Sequence, residues 1–327
     1  MGLRFSKAIV GVDDEATPYT YGEPVAVDSF AAFDIAMSFS GDNYIRQETK
    51  AHYGRLPELA GIAEGEISFK IPAMGSGVAP ATPTAPYYWK ALQGAGLKQN
   101  IVAATNVNYT PASTFDGPAA SSTTAGNPDE SYSVSVWVDG VKYSIKGAVG
   151  NVVLSGKIGE PWVWEFNFKG AYEAKITDAA PTITLPTPTP IPFMGANVIQ
   201  VHSGYNAILE SMSLDMGNEL GRVVNANDAS GLRGYTIINR RPMIKFNPED
   251  VIDATHNFWS IWRAASQSTI NIDAVGSGAG NLMAWTATNT QYHAPGVGNR
   301  EGSLILDMEA AIVTTGAEGS EFSITFT

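Results

Sequence analysis

The sequence predicts a mainly β fold with short helices. Two tandem halves each form a β-sandwich or open barrel, with one α-helix packed against it. Three observations carry this expectation. The first is the stretch Ser133 to Ala171. Val134, Val136 and Val138 alternate with Ser133, Ser135 and Trp137, the period of a strand. Asp139-Gly140 supplies residues that tolerate the positive φ of a tight hairpin turn, and Val141, Tyr143 and Ile145 then resume the apolar face. Trp162, Trp164, Phe166 and Phe168 form a third stripe, interleaved with Val163, Glu165, Asn167 and Lys169.

The second observation is that this order of parts recurs. Ile270 and Ile272 stand for Val134 and Val136, and the turn Gly276 to Gly280 stands for Asp139-Gly140. From there a constant shift of 140 positions places Tyr143 on Met283, Ile145 on Trp285 and Val152 on Tyr292. The same shift puts Trp164 on Leu304, Phe166 on Leu306 and Phe168 on Met308. Only Gly156 and Ala171 are identical, so the order of patterns is the evidence. The third observation is LPTPTPIPF, Leu185 to Phe193. Proline at every second position favours a stiff polyproline-type connector.

Taken in order, residues 1–30 read as an extended arm, interrupted by Gly2, Gly11, Pro18, Gly22 and Pro24. The first half, 31–185, opens with a strand from Phe33 to Ser40, a polar loop from Arg46 to Ala63 and a strand from Glu66 to Ile71. Pro86 then starts a short helix with Tyr88, Trp89 and Leu92 on one side, closed by Gly94 and Gly96. A strand from Ile101 to Tyr109 follows. The segment of about 110–130 is low-complexity and polar, an insertion without counterpart in the second half. Thr182 to Leu185 reads as a closing strand. Residues 186–192 form the linker and 193–327 the second half.

There Ala207 to Asp215 repeats the opening strand, with Met212-Ser213-Leu214 on Met37-Ser38-Phe39. A shorter loop, Arg222 to Gly234, follows. Tyr235 to Ile238 and Met243 to Phe246 read as one long strand bent at Pro242. Asn257 to Ala265 is the matching helix, with Phe258, Trp259 and Trp262 on Tyr88, Trp89 and Leu92. The helix aromatics Trp89, Trp259 and Trp262 are expected to anchor each helix on its sheet. Phe322, Ile324 and Phe326 form a final strand.

Composition narrows the function. Net charge is −12, split as −6 in 1–185 and −6 in 186–327. Tight DNA binding needs Lys and Arg to displace counterions, so this chain is not expected to hold DNA, though it could let DNA pass. Only 16% of residues are charged, which hints that much of the surface meets protein. The absence of cysteine excludes disulfides and thiolate metal sites, and fits a reducing compartment. The opening MGLRFSKAIVGVDDEA has no apolar run suited to a secretory signal, and no stretch approaches a membrane-spanning helix.

No catalytic constellation stands out, so no enzyme and no cofactor is expected. His52, His202, His256 and His293 lack metal-site spacing and read as loop or surface residues. Asp13-Asp14 and Glu249-Asp250 read as solvated turns or helix-start acids. Gly75-Ser76-Gly77 and Gly276-Ser277-Gly278 lack the Lys and helix of a phosphate loop and read as loop glycines. The Trp162–Phe168 stripe could be a sugar-stacking platform, but its strict alternation favours core.

Certain segments also resemble a known family. In the second half, SMSLDMGNELGRVV, GLRGYTIINRRPMIKFNPEDV, FWSIWRAA, GVGNREGSLILDMEAAI and SEFSITF follow in order. In the first, EGEISFKIPAMGSG precedes APYYWKALQGAG. This set is similar to major tail tube proteins of long-tailed, non-contractile bacteriophages, over most of residues 33–327.

The resemblance implies tail-tube-like modules. Six of them form a ring whose sheets join around a lumen, and rings stack into a helical tube. With two modules fused, three chains would make a pseudo-hexameric ring. Implied partners are further copies of the chain, a tape-measure protein and tail terminator or tip proteins. DNA would transit without specific binding, no membrane is involved, and the location is the virion after assembly in the host cytoplasm. Ser133, Ser135, Ser144, Glu165, Asn167, Asp307 and Glu309 are the expected lumen residues. Lys50, His52, Arg55, Glu58, Arg222 and Asn225 are the expected contacts between rings, together with the arm. The competing reading is a carbohydrate-binding or adhesin-type β-sandwich.

Overall fold

The structure is a computed structural model that describes residues 4, 7–48, 54–78, 82, 84–112, 131–194, 199–202, 204–228, 230–317 and 319–327. It is mainly β, with two short α-helices. The first half carries β1 (Ala8–Asp14), β2 (Ser29–Phe30), β3 (Phe33–Tyr44), β4 (Leu59–Pro72) and helix α1 (Trp89–Gly94). It continues with β5 (Leu97–Val102), β6 (Asn106–Pro111), β7 (Tyr132–Val138), β8 (Val141–Lys157) and β9 (Val163–Thr177). The second half carries β10 (Ile199–Val201), β11 (Tyr205–Asn206), β12 (Leu209–Asp215), β13 (Asn218–Val224), β14 (Leu232–Arg240) and β15 (Met243–Pro248). Helix α2 (Phe258–Arg263) follows, then β16 (Gln267–Gly276), β17 (Leu282–Tyr292), β18 (Gly296–Arg300), β19 (Ser303–Ile312) and β20 (Ser323–Phe326).

The central hairpin forms as its residues dictate. Asp139 and Gly140 take φ of 49° and 87°, both left-handed, and join β7 to β8. β8 is long and changes partners along its length. Its first part pairs with β7 and its last with β12, while β9 follows its other edge. The change falls at a bulge between Lys146 and Val149. Gly147 sits there at φ +56°, with Arg233 O only 2.5 Å from where a Cβ would stand.

Pairing in the two halves runs in the same order. In the first half, β3 pairs with β4, β4 with β9, β9 with β8, β8 with β7 and β7 with β1. In the second, β12 pairs with β15, β15 with β19, β19 with β17, β17 with β16 and β16 with β10. Register agrees as well. Met37 lies opposite Ile67, itself opposite Phe168, and Met212 lies opposite Phe246, itself opposite Met308. The 140-position shift therefore holds for β9 and β19. It fails for β8, because Tyr292 pairs with Ala310 whereas Val152 pairs with Phe166. There β17 and β18 together follow β8 at a shift of 145, Val297 opposite Leu306 matching Val152 opposite Phe166.

The halves join directly into one sheet. Ser211, Met212, Ser213, Leu214 and Asp215 of β12 lie opposite Lys157, Gly156, Ser155, Leu154 and Val153 of β8. β20 also pairs with β6, Ile324 opposite Tyr109. The Gly75-Ser76-Gly77 segment meets the end of the second half's glycine-rich turn across the same boundary. Gly75 N donates to Asn281 Oδ1 at 2.7 Å, and Gly77 N to Gly280 O at 3.1 Å. The polyproline segment is pinned rather than free. Ile191 and Phe193 are buried, Trp162 N donates to Ile191 O at 2.8 Å, and the Phe193 ring lies 4.7 Å from that of Trp162.

The aromatic stripe is core, with Trp162, Trp164, Phe166 and Phe168 all buried. Its rings stack on Phe69, and Trp164 Nε1 donates to Tyr88 Oη at 3.1 Å. Tyr88 and Phe258 are the buried anchors of α1 and α2, whereas Trp259 is exposed and pairs edge-on with Trp262. Trp89 and Trp262 are half-buried and pack against the core as expected, so only Trp259 departs from the expected anchoring, and its neighbour Phe258 takes that place.

Other expectations are corrected too. Residues 8–30 are no free arm, because β1 pairs along β7 from Ala8–Val138 to Asp14–Tyr132. Asp13 and Asp14 are not solvated turn acids but strand residues beside Lys90, and Asp28 lies 2.7 Å from the same ammonium. Ile101 to Tyr109 is two strands, because a turn at 103–105 folds it into a hairpin. Thr182 to Leu185 forms no strand. Tyr235 to Phe246 is two strands; Pro242, which offers no N–H to a ladder, falls in the break. The expected Arg222–Gly234 loop is mostly the β13–β14 hairpin, whose Leu232 and Tyr235 pack on Val149 and Ala171. Part of the Arg46–Ala63 loop belongs to β4. Most of the 110–130 insertion lies outside the described residues.

Candidate functional site

Joining β8 to β12 gives the sheet a polar face that crosses from one half to the other. Strand alternation sends Ile67, Phe166, Phe168, Leu154, Leu214, Phe246 and Met308 to the core. Their neighbours must then emerge on the opposite side. One row there runs Val163, Ser155, Ser213, Lys245, Glu309, each opposite the next across β9, β8, β12, β15 and β19. Beside it run Lys70, Glu165, Val153 and Asp215. Two open grooves lie on this face. One is lined by Ser38, Ser40, Glu66, Asn167 and Arg222, the other by Ser155, Ser213, Lys245, Asp307 and Glu309.

The face is electrostatically self-contained. Lys169 Nζ lies 3.5 Å from Glu66, Lys70 3.5 Å from Glu165, and Lys245 2.9 Å from Glu309. Glu66–Lys169 and Lys245–Glu309 occupy matching register positions with the charges exchanged. The Lys245 contact holds the Glu309 carboxyl below its ordinary range, and Glu309 in turn raises Lys245. Burial alone would raise Glu64, but bonds from Tyr235 and Arg222 outweigh it and hold it low. At the junction Asn151 Nδ2 donates to Asp215 Oδ1 at 2.8 Å and Asn218 N to Asn151 Oδ1 at 3.0 Å. With its lysines paired to carboxylates, the face has little cationic charge with which to hold phosphates.

The structure brings Glu165, Asn167, Asp307 and Glu309 onto this one face. It does not bring Ser133, Ser135 and Ser144 there, which corrects their expected lumen position. All three are buried beneath residues 15–23. Ser133 Oγ donates to Glu15 Oε1 at 2.8 Å and accepts from Gly22 N at 2.9 Å. Ser135 Oγ shares hydrogen bonds with Tyr21 Oη at 2.8 Å and Ser144 Oγ at 3.1 Å. Lys142 closes the strap through Glu23 at 2.6 Å and Asp178 at 3.2 Å. Burial raises the Glu15 carboxyl, against the bonds it accepts from Ser131, Gly147 and Ser133. The polar alternation of 133–144 thus serves a buried strap. Glu15 follows Asp13 and Asp14 in what reads as one acidic turn, so nothing in the sequence set it apart for that role.

Lys50 and His52 lie outside the described residues. Arg55 and Glu58 pair with each other on an exposed segment. Arg222 does not project from a loop; it lies on β13 and reaches Glu64 at 2.6 Å. Asn225 stands at the hairpin tip, where its Oδ1 accepts from Asn227 N at 3.0 Å. His202 and His256 are buried rather than surface residues, His202 stacked 4.0 Å from Tyr292 and His256 4.5 Å from Tyr205. Glu249 is no free turn acid; it pairs with Arg300 at 2.9 Å. Among the described residues no cluster of His, Asp and Glu could hold a metal ion.

No protein-family model and no curated protein matches the chain.

Proposed function

We propose that this chain is a structural protein of a phage tail tube, two fused tube modules whose joined sheet forms one third of a ring wall. Each half is a β-sandwich or open barrel with a flanking helix, descended from one duplicated module. Three chains complete a pseudo-hexameric ring, and rings stack into a helical tube through which DNA and a tape-measure protein leave for the host. Tail terminator and tip proteins cap its ends. The role is architectural, in the virion, with no catalysis and no cofactor.

The observation that carries this reading is the β8–β12 ladder between two halves of matching strand order. A sheet that extends edge to edge from one half to the next is how a wall can grow without leaving edges open to aggregation. The polar face supplies a lumen surface of serines, asparagines and paired charges that gives DNA phosphates no grip. Glu165, Asn167, Asp307 and Glu309 lie on it. The sugar-stacking alternative loses support because Trp162 and Trp164 are buried and offer no ring face. Negative-stain electron microscopy of the purified protein tests the proposal. Rings or hollow tubes are expected; a uniform monomer at every concentration would refute it.

A further inference from the structure

The internal ladder has two unpaired ends in the same chain. Register places β3 where β12 stands in the other half, at a shift of 175, since Met37 opposite Ile67 matches Met212 opposite Phe246. It places β18 where the end of β8 stands, at a shift of 145. β12 and β8 pair with each other. Among the described residues β3 pairs only with β4, and β18 only with β19.

Burial marks the same vacancy. Val152 and Trp164 are 2% and 1% exposed, in a core that Leu214 of β12 and Met216 just past its end complete. Their counterparts Val297 and Leu304 are 61% and 52% exposed. On the other edge Phe39, the counterpart of the buried Leu214, is 37% exposed. Both edges thus present apolar side chains on the side that the internal junction covers.

We propose that a second copy of this chain pairs its β3 with β18, antiparallel and in the register of the β8–β12 junction. Ser38 then lies opposite Arg300, Phe39 opposite Asn299 and Ser40 opposite Gly298. Phe39 covers Val297 and Leu304, as Leu214 covers Val152 and Trp164. The two edges differ, so the contact is head-to-tail and leaves each copy free to bind the next. This deepens the proposed tube function and rests on it for the closure into a ring.

The natural absence of cysteine makes cross-linking clean. Met216 N donates to Val152 O at 3.1 Å, which makes the pair 213–155, three residues on, a non-hydrogen-bonded one. Such pairs have Cα atoms about 4.5 Å apart, within disulfide reach. Ser155→Cys with Ser213→Cys in one chain is the positive control and should close an internal disulfide.

The test mixes two single variants, Ser38→Cys and Arg300→Cys, under mild oxidation. Covalent dimers containing one of each should form as the dominant linked species, and neither variant alone should give more than a trace. A chain carrying both should yield linked oligomers that end at a closed species. Rings or tubes without this cross-link would overturn the seam and leave the tube function standing. Monomers without it, with the control disulfide formed, would overturn both.

Discussion

Trp164→Ala separates a packed core from a ligand platform by a measurable margin. The indole is buried on β9 between β4 and β8, with Ile71 and Leu154 directly opposite. Its Nε1 donates to Tyr88 Oη at 3.1 Å, and that hydroxyl donates to Met74 O at 2.8 Å. Truncation removes the apolar burial and opens a cavity, a loss of about 3–5 kcal/mol for an aromatic in a packed core. Tyr88 keeps its bond to Met74, so the polar loss adds only about 1 kcal/mol. Trp164→Phe retains most of the volume and should cost about 1–2 kcal/mol. Urea denaturation followed by far-ultraviolet circular dichroism reads both. At a slope of about 3 kcal/mol per molar, the alanine midpoint falls by about 1 M or more. A shift under about 0.3 M, at unchanged slope, would refute the core assignment.

Other contacts of the joined sheet are open to the same kind of test. Gly75→Ala would place a Cβ 2.0 Å from Gly280 O, so it should part the Gly75–Asn281 contact and lower the melting temperature by several degrees; an unchanged melting curve would count against that contact. Glu309→Lys sets two lysines face to face and should cost no more than about 1 kcal/mol, because the pair is exposed; adding Lys245→Glu should restore stability, as the exchanged Glu66–Lys169 pair implies, and a double-mutant cycle checks it. His202 is held near a pKa of about 4 by burial and by neighbouring His256, below its ordinary 6.5. A depressed histidine stabilises the fold above pH 6.5 and loses that contribution as pH falls toward 4, by at most about 3 kcal/mol. Melting temperature measured across that window should fall less steeply for His202→Phe than for the natural chain.

Much of the sheet is legible in the sequence because strands advertise themselves by alternation. Val134–Val138 lies in β7 and Trp164–Phe168 in β9, as their alternation predicts, and Asp139-Gly140 makes its turn as expected. The match of Met212-Ser213-Leu214 to Met37-Ser38-Phe39 survives in the ladders themselves. What sequence missed has physical causes. A constant shift cannot follow bulges, and β8 bulges at Gly147 while its counterpart breaks between Tyr292 and Gly296. Alternating serines look solvent-facing until a strap covers them, and the strap's Glu15 sits 116 residues before Ser131. Four of the expected lumen residues fell on one face because parity decides faces. The three serines did not, because parity does not say which face is later buried.

The central question is whether the sheet repeats its internal junction between chains. A cryo-electron microscopy reconstruction of an assembled ring tests this most directly. It should contain three chains and six equivalent sheet junctions, with β18 of one copy laddered to β3 of the next and Glu165, Asn167, Asp307 and Glu309 toward the lumen. A ring of six chains, or one in which β3 and β18 stay unpaired, would contradict it.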